Sequence, residues 1–281
     1  MRSRRLEAFL LLLHPCMCSA LRGTPTAVTS RQPLLYRRQW LELAAAMSTA
    51  GAAAPAASAA LLCEEKDIQG AYESDCMREA TRTFEWESTG KLIMEQGTVG
   101  PGSTGAAVWN AGAALADYLA ANPAAVDGKL VLELGCGTGL CGLVASRLGA
   151  KAVLLTDGVD PVLERAQRNI EANVQDRKIR TRKLQWGTNA VEEQLRGKFD
   201  VVLASDVLYQ SSAWIAFGAT AKDLLKPETG RLLLAESGHT NSPLQSTLEG
   251  FRTVAQGCGL VLEDQIPLGQ NAALQICMPR A

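Results

Sequence analysis

Short apolar runs alternate with amphipathic stretches through the second half of the chain. Residues 129–134 (KLVLEL) are largely apolar and stop at a glycine cluster, which predicts a buried strand. Further strands are predicted at 152–156, 179–185, 199–204 and 230–236, with two last ones at 260–266 and 272–278. Apolar residues at helical spacing predict helices over 139–148, 161–174, 211–225 and 243–257. Pro161 suits a first helical turn, where its missing N–H would have no partner anyway. Upstream, the pattern predicts a hairpin within 82–97 and a helix over 107–121. Apolar strands alternating with helices imply a mainly parallel sheet covered on both faces. Only residues 267–271 separate the last two strands, too few for a helical crossover, so this pair should be antiparallel. The fold class expected is α/β, a doubly wound, mainly parallel seven-stranded sheet with an antiparallel C-terminal strand.

Charge divides the chain unevenly. Lys+Arg 28 against Asp+Glu 29 give a net charge of -1 and a pI near 6.2. That balance argues against a nucleic-acid binder held by phosphate neutralisation. Residues 1–63 hold seven arginines and only Glu7 and Glu42 as acids, a net of +5, which leaves 64–281 at -6. A mildly acidic body suits a basic protein partner better than a polyanion. Arg2, Arg4 and Arg5 precede an apolar run over 6–13 and small residues at 18–20, which resembles a secretory signal. Residues 21–60, rich in Arg, Ser, Thr, Pro and Ala, resemble an organelle transit segment. The division expected is therefore 1–63 leader and linker and 64–281 folded body, with 82–121 ahead of a core at 129–281. A plastid or mitochondrial location is expected if the leader is real, and a cytoplasmic one if Met47 is the start. No stretch reads as a transmembrane helix. Two histidines, His14 and His239, are too few for a multi-histidine metal site, and no metal is expected. The eight cysteines include no C-x-x-C pair and are expected as reduced, mostly buried thiols.

Candidate chemistry begins at Glu133-Leu-Gly-Cys-Gly-Thr-Gly139, between the first core strand and its helix. Gly135, Gly137 and Gly139 allow a tight turn and a close backbone approach to a ligand, and the next helix offers unpaired N–H groups. Asp157 lies 22 residues after Gly135, at the end of the second strand, where a carboxylate can accept both hydroxyls of a ribose. Gly137, Gly139 and Gly142 also fit a dinucleotide fingerprint, which keeps a nicotinamide reductase in view. Glu133 argues for another ligand. A pyrophosphate wants N–H donors and no adjacent carboxylate, whereas an acid suits a ligand with a positive amino group, such as S-adenosylmethionine. The alternative is that Glu133 only binds loop amides.

Further segments make the sequence similar to a known family. ELGCGTGL with Asp157 resembles the first two motifs of class I S-adenosylmethionine-dependent methyltransferases. Val108-Trp109-Asn110, Leu184-Gln-Trp186-Gly187 and Asp206-Val-Leu-Tyr209 resemble the V-W-D helix, L-x-W-G and D-x-x-Y segments of the methyltransferase-sixteen-like protein-lysine methyltransferases. The resemblance spans about 82–281. It implies a Rossmann-like domain that takes S-adenosylmethionine, a protein substrate carrying the target lysine, and cofactor contacts at Trp109, Gly135, Cys136, Gly137, Asp157, Trp186 and Ser205. Asn110 and Ser205 depart from it, since relatives often carry Asp and a small apolar residue there.

Asp206 and Tyr209 are the candidate catalytic pair. Asp206 would attract and orient the target ammonium, and Tyr209 would wall a narrow channel. The bland alternatives are an N-cap on the following element for Asp206 and ordinary packing for Tyr209. Trp186 would stack on the adenine, or else be a half-buried core residue. His239, after strand 230–236, is expected as a solvated loop histidine rather than a substrate contact. No inserted lid is evident over the rim, which favours a protein substrate over a small-molecule N-methyltransferase. An inactive binding module is the other alternative, although none of the motif residues is missing. A monomer that binds no nucleic acid is expected.

Overall fold

A computed structural model of the chain describes residues 67–68, 71–72, 75–175, 177–187, 191–239, 243–269 and 271–280. The leader expected over 1–63 lies outside them. All belong to one compact unit, Ala52–Ala281. Its first described elements, which the pattern missed, are an antiparallel pair β1 (Asp67–Ile68) and β2 (Ala71–Tyr72) and a single helical turn α1 (Asp75–Arg78). The predicted hairpin follows as β3 (Thr81–Trp86) and β4 (Gly90–Glu95), then helix α2 (Asn110–Ala121).

The core alternates β5 (Leu130–Leu134), α3 (Leu140–Arg147), β6 (Ala152–Asp157), α4 (Asp160–Asn173) and β7 (Ile179–Lys183). It continues with β8 (Val201–Ser205), α5 (Trp214–Leu224), β9 (Arg231–Ser237), α6 (Leu244–Gly257), β10 (Leu260–Pro267) and β11 (Ala272–Pro279). Residues 211–213, expected inside one helix with α5, form a separate 3-10 turn. The seven-stranded sheet runs β10-β11-β9-β8-β5-β6-β7. β11 pairs antiparallel with both β9 and β10, and the β5, β6, β7, β8 and β9 pairings are parallel. The expected fold class is therefore observed. Every residue of β9 is buried, as are 131–134 of β5, because helices cover both faces. Chain order reverses between β6 and β8, on either side of β5, and a ligand crevice belongs at the carboxyl ends of such strands.

Helix α4 joins the hairpin to this core by an unusual device. Its inner face buries Val162, Leu163, Ala166 and Ile170, and also Asn169 and Asn173, one turn apart. Asn173 Oδ1 accepts the Ile93 N–H at 2.8 Å, and its Nδ2 donates to the Ile93 carbonyl at 2.8 Å. Asn169 does the same for Glu95, at 2.7 and 3.2 Å. Two side-chain amides thus act as a surrogate strand along β4, meeting backbone groups that would otherwise lack partners. Asn169 Nδ2 also reaches the Thr138 carbonyl at 3.0 Å, which ties the hairpin to the glycine loop. Elsewhere Trp86 Nε1 donates to Asp117 Oδ1 at 2.7 Å, and Arg82 and Gln96 hold the carbonyl and N–H of Val108. These bonds fix where α2 begins.

Candidate functional site: a cleft at the carboxyl ends of the strands

A cleft of about 670 Å³ lies over the carboxyl ends of β5, β6, β8 and β9. Of the residues singled out above, Trp109, Glu133, Gly135, Cys136, Gly137, Asp157, Trp186, Ser205, Asp206 and Tyr209 line it. Gly139 does not. It is the left-handed residue that starts α3, at φ 85°, and a Cβ there would lie 2.8 Å from Leu155 Cδ1. Its role is to turn the chain into the helix, so a direct ligand contact is not where the structure places it.

The inner wall is built largely from one stretch of chain, 133–157. Gly135 and Gly137 have φ of 66° and 53°, a region open to glycine and costly for residues with a Cβ. Gly137 is further pinned by a strap the sequence reading overlooked. Pro101, Gly102, Thr104 and Gly105 also line the cleft, and a Cβ on Gly137 would lie 3.1 Å from the Gly105 carbonyl oxygen. Asp157 accepts the Val159 N–H on Oδ1 at 3.1 Å and the Gly137 N–H on Oδ2 at 3.3 Å. A carboxylate has about four acceptor sites, so both oxygens keep capacity for a ligand. Burial raises the Asp157 pKa, and the amides of Val159, Gly137 and Gly158 oppose that rise. Glu133 is buried and accepts the Gly142 N–H at 2.8 Å. Burial, with the nearby Asp157 charge adding to it, pushes its carboxyl up to about 8. Glu133 therefore binds a loop amide and also faces the cleft. Trp186 packs edge-on against Phe217, with centroids 5.2 Å apart, and one edge of its indole lies beside Gly135.

Cys136 and Cys141 line the same wall, and burial raises both thiols well above their ordinary range, so neither is a ready thiolate. Cys136, Cys141, Cys258 and Cys277 are free, as expected. Cys76 departs from the reduced-thiol expectation, being disulfide-bonded.

The outer rim is assembled from distant segments. Asp206, at φ 49°, turns its carboxylate back into the protein, where the side chain is only 3% exposed. Oδ2 accepts the Ala111 N–H at 2.9 Å, and Oδ1 accepts the Ser237 N–H at 2.9 Å and the Ser237 hydroxyl at 2.7 Å. The capping alternative is thus half realised, on a different helix. Asp206 serves the first turn of α2, not the 3-10 turn that follows it, whose N-cap is Gln210. Glu236, which sequence reading passed over, accepts the N–H groups of Val207 and Leu208 at 2.9 and 3.1 Å. Burial, then repulsion from Asp206, raises its pKa well above the ordinary carboxylate range. An acid at the end of an otherwise apolar strand was the available signal. Tyr209, held out by this loop, is 53% exposed, and its hydroxyl lies 3.4 Å from Thr104 Oγ1 across the cleft. Trp109 is the N-cap of α2 and donates its indole N–H to the Thr104 carbonyl at 2.8 Å. His239 is not the solvated residue expected. Its side chain is 8% exposed, lines the cleft and meets Trp109 edge-on at 5.8 Å.

With this geometry in place, likeness to known proteins becomes specific. A family model described as lysine methyltransferase matches residues 87–243. The chain belongs to this lysine methyltransferase family. The match runs from the hairpin to just past β9 and takes in both walls of the cleft. Among relatives, the protein-lysine N-methyltransferase EFM3 of Chaetomium thermophilum is 34% identical over 166 residues, 56% of this chain and 48% of the relative. The protein N-lysine methyltransferase METTL21A of Danio rerio is 34% identical over 131 residues, 46% of this chain and 59% of its own. The protein N-terminal and lysine N-methyltransferase EFM7 of Candida glabrata is 32% identical over 154 residues, 52% of this chain and 60% of its own. The chain thus spans about half the length of the curated relatives it matches. A solved SAM-dependent methyltransferase from Aquifex aeolicus overlaps with a TM-score of 0.50 at 13% identity, covering 58% of this chain and 89% of that one, a likeness of fold alone.

Proposed function

We propose that this protein transfers a methyl group from S-adenosylmethionine to a lysine side chain of another protein. The observation that carries the reading is the single cleft shared by the glycine turn, Asp157, Glu133, Trp186 and the Trp109–Asp206–Tyr209 rim. The donor set suits the cofactor. Asp157 has capacity for two ribose hydroxyls, Glu133 is a buried acid for an amino group, and Trp186 with Val159 and Leu184 offers apolar walls to a flat base. When bound, S-adenosylmethionine supplies a methyl group on a positive sulfur, open to in-line displacement.

The chain's own residues prepare the nucleophile. At pH 7 a free lysine, with pKa near 10.4, costs about 4.6 kcal/mol to neutralise, at ~1.36 kcal/mol per unit. Entry between the Tyr209 and Trp109 rings strips water from the ammonium and lowers that cost. The Tyr209 ring face and hydroxyl hold the alkyl chain and its charge in line. Asp206 acts differently from a contact partner, since three protein donors already occupy its carboxylate. It locks the rim in shape and sets a fixed negative charge beneath it. The protein acts as a monomer on a basic protein surface and binds no nucleic acid. Residues 1–63 direct it to an organelle, an assignment tested by locating the full chain against a chain begun at Met47.

The test is incubation with methyl-labelled S-adenosylmethionine and a cell extract, followed by mass spectrometry of labelled proteins. Label on lysine Nζ supports the reading. Label on protein N-termini, on small molecules alone, or nowhere overturns it.

A further inference from the structure

Resting on that reading, we infer that Glu236 is a positioning residue for methyl transfer: it fixes the chain that carries Tyr209 and so acts on the target lysine without touching it. Glu236 is buried and is not among the residues that line the cleft. What it holds is the turn beside it. Asp206, at φ 49°, swings the chain off the end of β8, so that the next two N–H groups face the same way. Both end on one oxygen, Glu236 Oε1, from Val207 at 2.9 Å and from Leu208 at 3.1 Å. The Asp206 N–H goes to the carbonyl of Ala235, the residue before Glu236, at 3.0 Å. Three successive N–H groups are thus taken by two neighbouring residues of β9. The Leu208 carbonyl is taken as well, by the Trp214 indole N–H at 2.9 Å, and the Val207 and Leu208 side chains are buried.

That fixity matters at the next residue. Tyr209 is exposed and lines the cleft, with its hydroxyl 3.4 Å from Thr104 Oγ1. Where its ring stands therefore depends on where the chain leaves Leu208. A shift in that backbone carries the ring with it, and a misplacement of about 1 Å can cost on the order of a hundredfold in rate. An acid is a costly choice in β9, where residues 232–235 are apolar. Its reach explains it. A side chain of this length brings one oxygen to two amides at once, whereas Asp is one methylene shorter and an apolar residue offers no acceptor. Gln has the same reach and the same accepting oxygen. A negative charge is unwelcome there, because the Asp206 carboxylate repels it. The geometry thus uses the accepting oxygen of Glu236 and not its charge.

The test compares full-length wild-type, Glu236→Gln and Glu236→Asp proteins. Calorimetry with S-adenosylmethionine gives the affinity and the fraction of competent sites, and labelled methyl transfer into extract proteins gives the rate per competent site. The chain has four tyrosines, so fluorotyrosine labelling gives each a fluorine NMR signal, and the one lost in Tyr209→Phe reports the Tyr209 ring. In Glu236→Asp the rate per site is expected to fall roughly tenfold or more and the Tyr209 signal to move, with S-adenosylmethionine affinity within about twofold. In Glu236→Gln the signal stands at its wild-type position and the rate recovers to within about threefold. A Glu236→Asp protein with fewer competent sites but the wild-type rate per site overturns the inference. So does a Glu236→Gln protein as slow as Glu236→Asp, a Tyr209 signal that stays in place in Glu236→Asp, or a Glu236→Asp protein that cannot fold. Each of these leaves lysine methylation standing. Wild-type protein that transfers no label to lysine overturns both.

Discussion

The two walls of the cleft are built in opposite ways. The inner wall comes largely from 133–157, one strand-turn-helix-strand unit, with Trp186 and the 101–105 strap set against its turn. Left-handed glycines make the turn, and Asp157 sits at the next strand end, two residues from the Val159 amide it accepts. The outer rim joins residues 104–111, 206–209 and 236–239, which meet through two buried carboxylates. Asp206 alone bonds to a residue 95 positions upstream and to one 31 positions downstream. A local wall can be damaged at one point without disturbing the rest. A rim held by long-range bonds loses shape and function together.

That contrast predicts how substitutions divide. Gly137→Val has the largest effect on the inner wall, because it puts a branched side chain at φ 53° and against the Gly105 carbonyl. Calorimetry should find S-adenosylmethionine bound more than about a hundredfold more weakly, or over ~2.7 kcal/mol, and wild-type affinity would remove the turn from the site. Asp206→Ala is the matching break on the rim. It orphans the Ala111 and Ser237 amides, at about 1–3 kcal/mol for each buried donor. Chemical denaturation should show a loss of about 2–5 kcal/mol, with turnover falling far more than cofactor affinity; unchanged stability would show that the rim does not need its staple. Asp157→Ala should weaken cofactor binding by roughly 10- to 100-fold, the scale of one or two hydrogen bonds to a charged group, with a smaller stability change than Asp206→Ala. Equal affinity would place the ribose elsewhere.

The smallest effect sharpens the comparison through pH. Burial pushes the Glu133 carboxyl from 4.5 to about 8. Between those values the folded chain holds a proton that the unfolded chain releases, so stability falls as pH rises from about 4.5 toward 8. Glu236, also raised by burial, contributes a slope of the same sign. Glu133→Gln should flatten that fall only in part, as read from denaturation midpoints at about pH 5 and pH 8. An unaltered slope would mean that Glu133 is not the buried proton holder on the inner wall.

Much of the fold was legible because its central strands are buried on both faces and its helices on one, so their apolar periods differ. The seven core strands fall within two residues of their expected bounds at every end. The missed elements were those without a period. β1 and β2 have two residues each, and the strap 101–105 is held by contacts with other segments. Asn169 and Asn173 read as ordinary polar helix residues, yet they are buried because β4 lies beside them. Gly139 read as a ligand-facing glycine because a motif does not say which of its members faces inward.

Sequence alone determined the order of strands and helices, the left-handed turn after β5 and the acid at the end of β6. Each depends on interactions among residues close along the chain, where residue type sets the backbone geometry. Only the tertiary structure decided that Asp206 faces inward to α2 and β9, that Glu236 shapes the Tyr209 loop, and that His239 is sheltered beside Trp109. These are pairings between distant segments. A carboxylate's partner is set by which donors the packed layers bring within about 3 Å, and no local pattern carries that distance.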